Sequence, residues 1–258
     1  MFTAAETYER LMGRLSRTLA PQFVAFANVR EGASVLDVGC GTGSLSAALA
    51  EATKAARIVG IDPSEPFVEY ARAHNTDPRL TFDFGDAQAL PYDDAAFDAT
   101  LALLVVNFIP DAKKAASEMR RVTRPGGAVA TAMWDNTGRN ELTNTFWSAA
   151  LALDPAVKRE DLRPGTLGSA EALSGLWAAT ALRSIETKEL NTNCRFSSFD
   201  DYWEPRVAEG PTAAYIHTLS QAHKELLQER LRNDIFGSRP DGPFTLDAKA
   251  WAVRGIVP

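Results

Sequence analysis

Short apolar runs alternate with amphipathic stretches between residues 33 and 134. Strand-like runs fall at 34–38, 57–61, 80–84, 97–106 and 128–134, and helical periodicity at 44–55, 65–74 and 112–122. Pro63-Ser64 precedes the second of these helices, and Pro125-Gly126-Gly127 turns the chain into the fifth strand. Strands that read as continuous apolar runs, each followed by a helix, predict a parallel sheet covered on both faces.

The flanking regions are less regular. Residues 5–29 read as an amphipathic leader helix broken at Pro21, with Leu11, Leu15, Leu19, Phe23 and Phe26 at helical spacing. Beyond Trp134 the pattern predicts helices at 143–153 and 170–179 and a strand at 182–191. One long helix at 213–232 and a closing strand pair or hairpin arm at 244–257 follow. Segments 136–168 and 196–243 contain Pro, Gly and scattered aromatics, which suits surface insertions better than a separate domain. A single domain over 1–258 is expected, with 1–30 as leader, 31–135 as core, the two insertions as a lid, and 169–195 and 244–258 completing the sheet.

Composition narrows the class of function. The chain has 258 residues and a formal charge of −6, evenly spread, so no basic arm for nucleic acid is expected. Two cysteines, Cys40 and Cys194, make neither a disulfide framework nor a Cys-rich metal site, and no metal-ligand cluster stands out. The longest apolar run, 101–109, falls well short of the roughly 20 residues that span a membrane. A cytoplasmic protein with no signal peptide is the expectation. Oligomeric state is not legible.

The most informative segment is Val35-Leu-Asp-Val-Gly-Cys-Gly-Thr-Gly43, where the first strand meets the first helix. Glycines at 39, 41 and 43 allow a sharp turn and close approach to a ligand. In an open parallel sheet such a loop lies at the carboxyl edge, where ligands bind. A dinucleotide fingerprint requires Gly-x-Gly-x-x-Gly, and Ser44 stands where its third glycine belongs. The pattern Asp-x-Gly-x-Gly-x-Gly fits without mismatch.

At this point the chain resembles the class I S-adenosylmethionine-dependent methyltransferases, of the small-molecule type similar to ubiquinone and menaquinone methyltransferases. The resemblance rests on 35–43, Asp62 after the second strand, 84–91, 97–110 and 121–127, in the family's order. It implies a seven-stranded, doubly wound, mostly parallel Rossmann-like sheet with helical lid insertions, and S-adenosylmethionine as cofactor. It also implies that Asp37, Gly39, Gly41 and Gly43 cradle the cofactor. Asp62 would hold the ribose hydroxyls, Asp86 the adenine amino group, and the Ala87 amide would lie near the ring. Leu103 would lie under the cofactor, with Tyr8 and Arg14 closing over its methionine end. The acidic loop suits a cationic sulfonium and disfavours a pyrophosphate.

The implied reaction is methyl transfer to a small organic acceptor by in-line displacement, in which positioning does much of the work. Asn107 and Trp134 are the candidate acceptor-pocket residues. No catalytic base is identified: His74, His217 and His223 read as surface or helix-packing positions. An NAD(P)-dependent oxidoreductase and a non-catalytic S-adenosylmethionine-binding module remain as alternatives.

Overall fold

The structure is a computed structural model that describes residues 5–138, 140–155, 166–208 and 210–258. Residues 156–165 of the first expected insertion, and position 209 of the second, lie outside the described residues.

Strand β1 (Ser34–Val38) pairs in parallel with β2 (Arg57–Asp62) on one side and β4 (Phe97–Leu103) on the other. β2 carries β3 (Leu80–Phe84) in parallel, and β4 carries β5 (Thr123–Trp134). β7 (Phe244–Ile256) runs antiparallel to both β5 and β6 (Arg183–Phe196). The order β3-β2-β1-β4-β5-β7-β6 makes one seven-stranded sheet that reverses direction of winding at β1/β4. That reversal opens a crevice at the carboxyl ends of β1 and β4.

Alternation along β1 sends Val35 to one face and Leu36 and Val38 to the other. The first face is covered by α2 (Arg14–Ala27) and α3 (Ser44–Ala52), the second by α5 (Ala112–Val122) and α7 (Ala170–Ala179). α4 (Glu65–His74) packs Val68 and Ala71 on Phe82 of β3. Asp111 and Ser169 start α5 and α7 by accepting from the amides of Lys114 and Ala172.

A third apolar cluster lies beyond the end of β5. The outer halves of β6 and β7 extend past Trp134 and are covered by α6 (Glu141–Leu153), α8 (Phe199–Ala208), α9 (Pro211–Thr218) and α10 (Gln221–Phe236). Phe146, Trp147, Phe196, Phe199, Tyr202 and Tyr215 are all buried there.

Three sequence expectations are corrected. The leader does not break at Pro21: α2 runs through it. An interior proline costs about 3 kcal/mol, whereas burying Leu15, Leu19, Phe23 and Val24 returns roughly 6–12 kcal/mol. The irregularity lies earlier, in the wider turn Glu9–Gly13 that joins α1 (Ala5–Tyr8) to α2. The long helix expected at 213–232 is two helices, because Ser220 adopts an extended conformation and its hydroxyl accepts from the His223 amide. β6 continues to Phe196 because the alternate residues Leu190, Cys194 and Phe196 are buried.

Candidate cofactor site

The polypeptide leaves β1 at Val38 and folds back on β2: the amides of Gly39 and Cys40 both donate to the Ile61 carbonyl, at 2.8 and 3.0 Å. Positive φ angles of +67° at Gly39 and +91° at Gly43 make the turn into α3. At Gly39 a methyl group would collide with Val105, whose Cβ would lie 2.9 Å away. Gly39→Ala is expected to lower stability by about 2–4 kcal/mol through strain and overpacking together, measured as a fall in the urea midpoint.

Two carboxylates converge under this loop. Asp62, at the end of β2, accepts from the Gly41 amide with Oδ2 and the Ser64 amide with Oδ1, both at 2.9 Å. Its Oδ1 bond also stabilises the approach to α4, so the residue shapes two segments at once. Asp37 is 1% exposed and accepts from the Ser46 hydroxyl at 2.7 Å, while its Oδ1 is buried with no partner. Burial pushes the Asp37 carboxyl up to about 7, and the charge of Asp62 adds to the rise against the opposing side-chain and backbone bonds from Ser46. Burial also raises Asp62, opposed by its two backbone bonds.

The leader lies over the loop. The Tyr8 ring packs 5.1 Å from Phe67, and burial pushes its phenol up to about 12. Glu9 accepts from the Thr42 hydroxyl and pairs with Arg17. Between Tyr8, Ser16, Asp37, Gly39, Thr42 and Leu103 remains a cavity of only about 10 Å³.

The comparisons with known proteins agree with this geometry. A family model described as "Methyltransferase domain" matches residues 36–131. An uncharacterized protein of Mycobacterium tuberculosis is 31% identical over 226 residues, covering 81% of this chain and 76% of that protein. The 27-O-demethylrifamycin SV methyltransferase of Amycolatopsis mediterranei is 37% identical over 132 residues, covering 50% of this chain and 45% of that protein. The chain belongs to the class I S-adenosylmethionine-dependent methyltransferases. The fold of this methyltransferase also resembles the solved YcgJ protein of Bacillus subtilis, with a TM-score of 0.59 at 19% identity, over 92% of this chain and 97% of that one. The family decides between the two ligands that the glycine loop left open: the cofactor is S-adenosylmethionine, not a dinucleotide.

The residues present fit that cofactor. The buried Asp37 oxygen without a donor, once its carboxyl ionises, suits a cationic ligand and would repel a pyrophosphate.

Tyr8, Asp37, Gly39, Gly41, Gly43, Asp62 and Leu103 are thus brought together around the crevice. The other five expected residues stand differently. Asp86 is exposed, and its Oδ1 accepts from the Gln88 amide at 2.8 Å, with Ala87 buried beside it. Asn107 lies in the short turn Val106–Phe108 and accepts from the Leu167 amide at 2.9 Å, which fastens the segment before α7. Trp134 is half-buried between the sheet core and the aromatic cluster.

Arg14 does not reach the crevice. It forms a two-pronged pair with Asp201 of α8, at 3.0 and 2.9 Å, and donates to the Arg195 carbonyl. The pair joins α2 to α8 there. Arg14 holds the Asp201 carboxyl down to about 2, so its stabilisation is complete above the ordinary carboxylate range and is lost as pH falls toward 2. With both side chains partly exposed, Arg14→Ala is expected to cost only about 1 kcal/mol, and a double-mutant cycle with Asp201→Ala in urea measures the pair.

Sequence reasoning missed Ser46, Glu9, Thr42, Phe67 and Asn75, whose amide donates to the Ala71 carbonyl at 2.8 Å beside Gly43. Arg206 was missed too. It is buried in α8, with its guanidinium 3.7 Å from the Tyr202 ring centroid, and burial lowers its pKa. Cys40 is buried in the loop, and burial raises its thiol well above the usual range, which disfavours a nucleophilic thiolate.

Proposed function

We propose that this methyltransferase moves a methyl group to a small organic acceptor by in-line displacement at the carboxyl edge of β1 and β4. The observation that carries this reading is the buried, partnerless Oδ1 of Asp37 beside the glycine loop. In this reading Asp37 accepts from or faces the cationic part of the cofactor, and Asp62 takes the ribose hydroxyls. The glycine loop admits the cofactor backbone-close, Leu103 supports it from below, and Asp86 with the Ala87 amide reads the adenine edge. S-adenosylmethionine, when bound, supplies a methyl carbon already activated by its sulfonium.

The chain's own contribution is to bind, orient and exclude water. Tyr8 and Glu9 cover the loop, and the remaining cavity of about 10 Å³ holds no more than one water. A nucleoside therefore enters only if the leader segment moves aside, and its return seals the site. The insertions 136–168 and 196–243 act as the lid of a single unit spanning 1–258, with Trp134 and Asn107 toward the acceptor. Eight aromatic side chains are buried in the lid cluster, and an apolar lid suits an organic acceptor. All three histidines are exposed, so none is assigned as a base: His74 packs on Tyr70 at 3.8 Å, and His217 and His223 lie on separate helices.

Methyl-labelled donor tests the reading. Label is expected in members of a panel of small hydroxylated and carboxylated organic compounds. Transfer only to protein or RNA fractions overturns the small-molecule acceptor. In calorimetry, S-adenosylmethionine and its demethylated product should release heat and NAD none; no heat with either sulfur compound overturns the site assignment.

A further inference from the structure

A second cavity lies at the opposite edge of the sheet, roughly 15 Å along β4 from the glycine loop. It is the larger of the two, about 160 Å³, close to the roughly 150 Å³ of a cavity that accepts benzene. Its walls come from the end of α2, the starts of β4 and β5, and the end of β7. Ala33, Ala99 and Ala128 give it an apolar side, and Arg30, Arg124 and Arg254 a cationic one.

The electrostatics favour an anion. Asp98 is the carboxylate in the lining, and both its oxygens are engaged, one by Arg124 and the other by the Ser34 amide at 2.6 Å. Glu186 takes one nitrogen of Arg254 at 2.7 Å, and the Phe26 carbonyl accepts from another at 3.1 Å. Three guanidiniums against two carboxylates leave a net positive pocket. The Nε–H of Arg254 is buried with no acceptor, a donor that costs free energy until one arrives. Arg30 is exposed and has no ion pair among the described residues. A planar carboxylate matches the fork of such donors.

We propose that this cavity is a binding site for a small organic carboxylate, its apolar body against the alanines and its anionic group among Arg30, Arg124 and Arg254. The site uses none of the residues around the glycine loop, so its fate is independent of the methyl-transfer reading.

Heteronuclear NMR of the full chain, with benzoate, neutral benzamide and inorganic phosphate as probes, tests it. Benzoate is expected to shift the amides of Asn28, Arg30, Ala99 and Gly126 saturably, and to bind at least about tenfold more tightly than benzamide or phosphate. Arg30→Gln and Arg124→Gln, both at exposed side chains whose loss leaves the core intact, should each weaken benzoate about fivefold. Three results overturn the site: no saturable shift at those amides, equal binding of benzamide or phosphate, or unchanged benzoate affinity in both variants.

Discussion

Asp37→Asn is expected to lower affinity for S-adenosylmethionine about 30- to 150-fold, the equivalent of roughly 2–3 kcal/mol for a charge-assisted contact. The same substitution should make the ligand-free protein more stable at neutral and alkaline pH. Both follow from one arrangement: a 1% exposed carboxyl with one oxygen bonded to Ser46, the other without a donor, and Asp62 close by. An asparagine keeps an acceptor for Ser46 and removes the buried charge.

The pH dependence has a definite sign. The folded Asp37 titrates at about 7, above its ordinary value of 3.8. Below the ordinary value both folded and unfolded chains hold the proton, and the residue is neutral to stability. Between the two values the unfolded chain releases its proton while the folded chain keeps it, so stability falls as pH rises. Above about 7 the loss is complete, on the order of 4 kcal/mol for a shift of that size. Asp37→Asn should therefore match the parent below about pH 3.8 and exceed its urea midpoint by a growing margin up to pH ~8. Cofactor affinity in the parent should rise through about pH 7 as the carboxyl ionises, and that rise should vanish in the variant. Calorimetry across this range decides it: a flat parent profile removes Asp37 from contact with the cationic ligand.

The sheet and its crevice were readable because their signals are local. β1 and β3, and helices α4, α5 and α7, occupy the residues that apolar periodicity predicts, with Pro63-Ser64 marking the start of α4. The glycine loop and Asp62 were readable because a strand end, three glycines and a carboxylate recur at fixed spacing in a contiguous stretch. What failed depends on distant partners. Arg14 looks like a residue free to close over a ligand until Asp201, 187 positions away, is seen to hold it. Glu9, which sequence reasoning passed over, reaches Thr42 only because a wide turn in the leader re-aims it. The split at Ser220 was readable in principle, since a serine preceding an amphipathic run is a common helix start. It was obscured by apolar residues continuing on both sides.

Asp62→Ala is expected to cost about 1–3 kcal/mol of cofactor affinity, or roughly 5- to 150-fold. Asp62 already accepts from Gly41 and Ser64, so part of any loss comes from a glycine loop that no longer holds its shape. The two contributions separate in a cycle with the 2′,3′-dideoxy analogue of S-adenosylmethionine. If the carboxylate takes the ribose hydroxyls, the parent binds the analogue more weakly than the natural cofactor, and the variant binds both alike. If it only shapes the loop, the variant weakens both ligands by the same factor and the ratio between them is unchanged. Folding must be intact for either reading. Asp62 is 7% exposed and its carboxyl is raised by burial, so removing it relieves a desolvation cost while freeing two amides. These effects oppose each other, and the unfolding free energy measured in urea should therefore change by less than about 2 kcal/mol while cofactor affinity falls.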